Sequence, residues 1–514
     1  MELRRGFLWF SCLLLLSGCI QPAPDTRPWL LNTPETTPLP TIQSSTVEPT
    51  MGPTSTFPAT IPTFIPTTAA SPTPDEARPQ PTLRSETEYY TVQAGDSLAI
   101  IAARYNMPVN VLINANSLIN PNYLEVGQSI TIPSLAPSVE PSVFKILPDS
   151  ELVYGPYSAI LDVTRFIHKN GGYLSSYSEK VDDIETSGAD IVMRIAYEYS
   201  VNPRLLLAFL EYQSGWVTQM NPDASTLEYP IRLYDSYRKG LYRQLAWAAN
   251  QLNRGYYMWK SNNISYLVLT DSNLVTLPAE INAGTAGIQA AFATLDNAPD
   301  WKAAVSVEGF YATYIHFFGI PFDYSIEPVV PQDLQQPAFL LPFEPGVTWY
   351  LTGGPHASWG DGSAWGALDF APPEDQYGCF SSNAWVTAVA DGIITRASNG
   401  EVILDLDGDG LEQTGWVVLY MHIESRDRVA VGTKIKAGDR IGHASCEGGI
   451  STGTHFHIAR RYNGEWIPAT GELPFNFEGW TPESDGIEYN GTLSRDGVTV
   501  TAWEGRIAAN AISH

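Results

Sequence analysis

Near the end of the chain, Gly453-Thr454-His455-Phe456-His457-Ile458-Ala459 sets two histidines one residue apart inside a run with strand character. Side chains alternate along a strand, so both imidazoles would project from one face, where such a pair can share a metal ion. A strand carrying two half-buried histidines would show the same spacing. Three further stretches bring the same kinds of donor: Gly353-Gly354-Pro355-His356, Ala367-Leu368-Asp369-Phe370 and Leu419-Tyr420-Met421-His422. Three nitrogen or oxygen ligands with an open fourth position describe a catalytic zinc site. No His-Glu-x-x-His helix accompanies them, so proton transfer would fall to histidines, whose ordinary pKa of about 6.5 suits work near neutral pH.

These residues need a scaffold. From about Phe339 onward, short strands and Gly-rich turns alternate (Trp385 to Val389, Gly392 to Arg396, Glu401 to Leu406, Trp416 to Met421), which predicts an all-β antiparallel-sheet domain over residues 336–514. In this setting the histidine and aspartate stretches resemble the lysostaphin/LytM family of zinc metallopeptidases, which cut peptides of bacterial peptidoglycan. Most members place the first ligand histidine four residues before the ligand aspartate, where this chain has Trp365. The β-lytic branch places it further upstream in a Gly-Pro-His context, as His356 stands relative to Asp369 here. The resemblance therefore implies one Zn2+ held by His356, Asp369 and His457, with His422 and His455 catalytic. It also implies a Cys379–Cys446 disulfide, which an exported chain permits. His443, in Gly442-His443-Ala444, falls outside the family's pattern. Asp405-Leu406-Asp407-Gly408-Asp409-Gly410 begins like a calcium loop and admits Ca2+ at Asp405, Asp407 and Asp409 in principle, but Trp416 holds the twelfth position where glutamate is expected, which favours an acidic hairpin turn. The sequence assigns no role to residues 476–514.

The chain of 514 residues calls for several domains, and a net charge of -26 without any Lys/Arg cluster argues against nucleic acid as a partner. Residues 1–19 combine Arg4 and Arg5, an apolar run from Phe7 to Leu16 that is too short for about 30 Å of hydrocarbon, and Leu16-Ser17-Gly18-Cys19. The segment resembles a lipoprotein signal peptide. It implies cleavage before Cys19, lipidation of Cys19 and an exported protein anchored at the extracytoplasmic membrane face or cell envelope. Residues 20–87 are rich in Pro, Thr and Ser, with few aliphatics to build a core, and read as a disordered spacer.

Residues 88–134 carry Tyr90-Thr91-Val92-Gln93-Ala94-Gly95-Asp96-Ser97-Leu98, then Ile101-Ala102-Ala103-Arg104-Tyr105, Leu112, Asn114-Ala115-Asn116 and Gly127-Gln128-Ser129-Ile130. The pattern resembles a LysM module: a small α+β unit of two strands around two helices, with Asp96 and Asn110 at the expected caps. That family binds N-acetylglucosamine-containing glycans. The resemblance implies that Gly95, Asp96, Ser97, Leu98, Asn114 and Asn116 border the groove.

Residues 136–331 place apolar residues at helical spacing, as in Ile191, Ile195, Ala196, Tyr199 and Leu205, Leu206, Phe209, Leu210. This mainly α-helical domain loosely resembles lysozyme-like transglycosylases. Gln213-Ser214 stands where a Glu-Ser pair is expected, and glutamine cannot serve as the acid for a glycosidic oxygen. The domain thus reads as a degenerate, non-catalytic unit. Its aromatics (Tyr256, Tyr257, Trp259, Tyr311, Tyr314) belong either to a sugar groove or to the core. The expectation is a cell-surface peptidoglycan hydrolase, a zinc endopeptidase cutting stem or cross-bridge peptides, with peptidoglycan and the membrane as partners. The alternatives are a non-catalytic wall-binding protein that positions another hydrolase, and a glycan-cleaving enzyme working through the helical domain.

Overall fold

The computed structural model describes residues 83–514 except 94, 95, 106, 108, 117, 119, 121 and 122, and of 103 and 110 only the backbone. Cys19 with the expected signal peptide, nearly all of the spacer and Gly95 lie outside the described residues. Among those described, no helix is long and apolar enough to cross a membrane.

Strands β1 (Glu88–Thr91) and β2 (Ser129–Ile132) pair antiparallel around helices α1 (Leu98–Arg104) and α2 (Val109–Asn116), with Leu98, Ile101, Leu112, Ile130 and Ile132 buried between them. Ser97 caps α1, its Oγ accepting from Ile100 N at 3.2 Å. Asp96 does not cap it, because its carboxylate is taken by Tyr90 OH at 2.6 Å and Gln93 N at 2.7 Å within the preceding turn. Helix α2 begins at Val109, so Asn110 lies inside its first turn. Asn116 ties α2 to β2, donating to Thr131 O at 2.8 Å and accepting from Thr131 N at 2.7 Å.

The helical region holds α3 (Asp149–Leu152), α4 (Val163–Asn170), α5 (Gly188–Tyr199), α6 (Pro203–Ser214), α7 (Leu241–Lys260), α8 (Ala283–Ala293), α9 (Ala298–Ala304) and α10 (Phe310–Phe318). Two hairpins, β3 (Ser178–Val181) with β4 (Ile184–Ser187) and β5 (Tyr266–Val268) with β6 (Leu274–Thr276), interrupt them. Helix α6 shows why its sequence stops where it does. Asn202 caps its start through Arg204 N, Pro203 fills the first turn, and Gly215 at φ 70° ends it. The β5–β6 hairpin also serves the LysM module, whose core takes in Tyr266 and Leu274 and whose Asn114 donates to Ser272 Oγ at 2.8 Å.

The C-terminal region is built on an antiparallel sheet of β7 (Trp349–His356), β8 (Ala367–Ala371), β10 (Gly392–Ser398), β11 (Glu401–Asp405), β12 (Trp416–Met421), β13 (Lys434–Ile435), β15 (Phe456–Tyr462) and β20 (Ala511–Ile512). Their order is β13-β10-β11-β12-β15-β8-β7-β20, with β16 (Glu465–Trp466) extending β15 as a hairpin. Strands β9 (Trp385–Thr387) and β14 (Arg440–His443) form a second small sheet, and β17 (Thr481–Glu483), β18 (Thr492–Arg495) and β19 (Val498–Thr501) a third.

Alternation sorts the main sheet's side chains. Leu368, Phe370, Val418, Tyr420, Phe456 and Ile458 enter one core with Trp349 and Phe475. The intervening residues Ile403, Val417, Leu419 and Ala459 share a single core with the helical region. Polar contacts reinforce that seam: Arg461 donates to Tyr197 O at 3.1 Å and Ser200 Oγ at 3.2 Å, Tyr256 OH to Glu465 at 3.0 Å, and Trp466 N to Tyr257 OH at 2.9 Å. Tyr256, Tyr257, Trp259 and Tyr314 are buried in this core. Asp369 and His457 fall on the same face of the sheet as Ala459 and Ala367, one step further along their strands.

Candidate metal centre

Pairing register brings the predicted donors together. His457 on β15 lies directly opposite Asp369 on β8, and β7 runs beside β8 with Gly353 opposite Asp369 and His356 opposite Ala367. Bulges between Leu351 and Gly353 and between Gly353 and His356 turn the end of β7 inward. His356 Nε2 then stands 3.0 Å from His457 Nδ1, and Asp369 Oδ1 lies 3.2 Å from each of these nitrogens. Such a triangle matches the edges of a tetrahedron whose centre is about 2.0–2.1 Å from each donor.

The remaining ring nitrogens fix the tautomers. His356 Nδ1 donates to Gly354 O at 2.8 Å and His457 Nε2 to Ser358 O at 3.0 Å, which leaves lone pairs on the two nitrogens that converge. Asp369 Oδ1 is sealed from solvent with no hydrogen bond to satisfy it, so a cation is the partner its surroundings lack. Burial alone would raise the Asp369 carboxyl, but positive charge on His356 and His455, when those rings are protonated, draws it well below the usual carboxylate range, so the group stands as a carboxylate able to take a cation. The donor set and its geometry fit a metal ion.

His422 and His455 flank this triangle with ring centroids 4.6 Å apart. His422 Nδ1 donates to Glu447 O at 3.0 Å and His455 Nδ1 to Gly453 O at 2.8 Å, so in the neutral form of each ring Nε2 carries the lone pair. His455 Nε2 lies 3.9 Å from Asp369 Oδ2. Burial, together with His455 and His457, pushes the His422 pKa down to about 3, which keeps that ring neutral. His422 also adopts a left-handed backbone, φ 62°, a conformation costly for a non-glycine residue. Cys379 and Cys446 are joined by a disulfide, and nearby Phe380 N donates to Thr454 Oγ1 while Thr454 N donates to Gly378 O. The bridge therefore braces the segment bearing Glu447 O and Gly453 O.

The comparisons with known proteins match three stretches of the chain. The peptidase family M23 model matches residues 376–468, the LysM domain model residues 90–133, and the LasA N-terminal domain model residues 145–330. Protease LasA of Pseudomonas aeruginosa (strain PAO1) is 28% identical over 356 residues, which cover 64% of this chain and 77% of that protein. This chain is homologous to LasA and to the M23 peptidases. It carries a LysM domain, a LasA-type N-terminal domain across the helical region, and an antiparallel-β peptidase domain. A putative sporulation-specific glycosylase of Bacillus subtilis (strain 168), YdhD, is 34% identical over 105 residues, covering 19% of this chain and 25% of the relative. Among solved structures, the M23 metalloprotease pseudoalterin is 24% identical, covering 33% of this chain and 96% of its own with a TM-score of 0.28. The catalytic domain of lysostaphin from Staphylococcus simulans is 25% identical, covering 24% and 89% with a TM-score of 0.18. The M23 match starts after His356, Trp365 and Asp369.

Other expected sites have structural employment. Asp405, Asp407 and Asp409 converge, but they accept the turn's own donors, Gly410 N at 2.8 Å on Asp405, Asp409 N at 3.2 Å on Asp407 and Thr414 OH at 2.6 Å on Asp409. In the helical region Gln213 is buried at the end of α6, and Glu211 accepts from Val217 N, Thr218 N and Thr218 OH. That carboxylate pins a turn. Of the groove residues proposed for LysM, Asp96, Ser97, Asn114 and Asn116 hold internal contacts and Leu98 is core.

Sequence reasoning missed the residues that hold His356 from the far side. Tyr489 stacks on its ring at 4.2 Å and 20°, its carbonyl accepts from Gly354 N at 2.7 Å, and Glu488 accepts from Ala357 N at 3.2 Å. Their segment, without a role in the sequence, braces the first donor. No spacing marks such a role.

Proposed function

We propose that this chain is a zinc-dependent endopeptidase of the cell envelope that cleaves stem or cross-bridge peptides of peptidoglycan. The observation that supports this most is the sealed Asp369 Oδ1, 3.2 Å from two imidazole nitrogens whose protons point away from it. His356, Asp369 and His457 would hold the zinc, which when bound supplies Lewis acidity at the scissile carbonyl. Neutral His422 accepts a hydrogen bond from the attacking water at Nε2 and orients it. His455 takes the water's proton at Nε2 and returns it to the departing amine. The disulfide-braced carbonyls of Glu447 and Gly453 hold the Nδ1 protons, so in the neutral rings Nε2 is the nitrogen left for those tasks.

The LysM domain would bring the enzyme to glycan, and lipidated Cys19 would keep it on the membrane face. A Cys19→Ser protein is then expected in the medium instead of the detergent phase. Glycan cleavage by the helical region finds no support, since Glu211 is engaged and Gln213 cannot act as an acid. The test is digestion of purified peptidoglycan by the full chain, read by mass spectrometry. New peptide termini that vanish on zinc removal and return on zinc addition are expected. Reducing ends or anhydro-sugars without new peptide termini, or full activity in a zinc-free chain, would sink the proposal.

A further inference from the structure

The loop between the first two proposed ligands is held from outside the peptidase domain. Residues 357–366 leave β7 after His356 and return in β8 ahead of Asp369, and they carry Ser358, whose carbonyl accepts from His457 Nε2 at 3.0 Å. Inside the loop, Ser358 N donates to Ala364 O at 2.9 Å and Trp359 N to Ser363 Oγ at 2.9 Å. Its outer side rests on α7 of the helical region. Asn250, buried, accepts from Gly362 N at 2.9 Å and donates to Asp361 Oδ1 at 2.5 Å, while Arg254 pairs with Asp361 Oδ2 at 2.6 Å. A side chain at Gly362 would meet the backbone of Asn250 and, at 3.0 Å, Arg254 N, so the loop tip has no room to shift towards the helix.

We propose that Asn250 and Arg254 are positioning residues for the metal centre. They fix Gly360 to Gly362, the loop fixes the Ser358 carbonyl, and that carbonyl decides which His457 nitrogen carries the proton and where Nδ1 points. The helical region is then part of the peptidase's working structure as well as a cover for its sheet. The inference rests on the reading of His356, Asp369 and His457 as ligands. A residue that orients a metal ligand through one intermediary commonly changes metal affinity 10–100-fold; with one more link in the chain, the expected change is about tenfold.

The experiment uses the full chain and measures zinc retention against a colour-forming chelator, hydrogen exchange across 357–366, and the thermal midpoint. Asn250→Ala and Asp361→Ala should release zinc about tenfold more readily, with faster exchange in the loop, at temperatures where both remain folded. Asp361→Asn, which keeps an acceptor for Asn250, should recover part of the loss. The double variant Asn250→Ala/Asp361→Ala should lose less than the sum of the two single losses, because the Asn250–Asp361 bond is counted in both. If Asn250→Ala fails to fold, Arg254→Ala, at a partly exposed pair, carries the same comparison. Wild-type retention in folded variants overturns the proposal and leaves the metal site standing. Faster wall digestion with unchanged retention also overturns it, marking the contact as a brake. A wild-type chain that takes up no zinc overturns the ligand reading and this proposal together.

Discussion

Gly353→Ala puts the ligand geometry under the sharpest strain with the smallest change. Gly353 lies opposite Asp369 in the β7–β8 ladder, and its backbone is outside the left-handed region, so alanine can adopt it. An added methyl would sit 2.6 Å from Asp369 Oδ2 and 3.0 Å from both Cβ and Cγ. Ordinary contacts begin near 3.4 Å, so the carboxylate must retreat by about 0.8 Å, whereas a ligand distance tolerates about 0.2 Å. Asp369 would then stop serving as a ligand. The expected loss in zinc affinity is at least ~100-fold, or about 2.8 kcal/mol at 1.4 kcal/mol per decade. Overpacking costs the fold about 1–3 kcal/mol, partly offset by the lower entropy of the unfolded alanine chain. Gly453→Ala is the matched control: its methyl meets Gly378 O at an ordinary 3.5 Å although the residue adjoins the site. Chelator competition on both variants, with thermal midpoints, reads the outcome. Wild-type zinc affinity in a folded Gly353→Ala protein would refute the reasoning.

His422→Ala and His455→Ala should keep zinc and slow hydrolysis by roughly 10²-fold or more, since each removes an Nε2 that handles the water; zinc content per chain and initial rates measured together check this. His443→Ala should cost about 1–3 kcal/mol of stability and leave the rate per folded molecule unchanged, as denaturant titration alongside activity would show, because that ring is buried at 3.9 Å from Trp385 with Nδ1 bound to Ala384 O. Cys379→Ser opens a loop closed over a separation of 67 residues, and the chain-entropy estimate puts the loss at about 4 kcal/mol; a reduced wild-type chain should melt like the variant.

Much of the site was visible as chemistry because metal-ligating side chains are rare and informative. His356, Asp369, His422, His455 and His457 stand out by type, and a period of two placed the last pair on one face. The atoms that set their tautomers were not visible. Gly354 O, Ser358 O, Glu447 O and Gly453 O are backbone carbonyls, and every residue offers one of those, so no composition or spacing singles them out. The same holds for Asn250 and Asp361, polar residues of common type whose pairing spans two domains. At α1 the expected cap was Asp96, and competition from Tyr90 OH and Gln93 N left the role to Ser97. A cap rule weighs a residue alone; the outcome depends on which donors reach it first.

One signal in the peptidase strands carries more than an antiparallel reading extracted from it. Trp416-Val417-Val418-Leu419-Tyr420-Met421 and Ala367-Leu368-Asp369-Phe370-Ala371 are almost continuously apolar, and all their residues are buried. A sheet with one face in water should instead alternate apolar and polar residues, whereas unbroken runs mark strands covered on both sides. The second cover had to come from elsewhere in the chain, and it comes from the helical region, whose core takes in Val417, Leu419 and Ala459. Covering that face also excludes water from the strands leading to Asp369 and His457, so ion–dipole and charge–charge interactions at the site are screened less than at an open surface. The cover that completes the sheet's packing thus also shapes the electrostatics around Asp369 and His457.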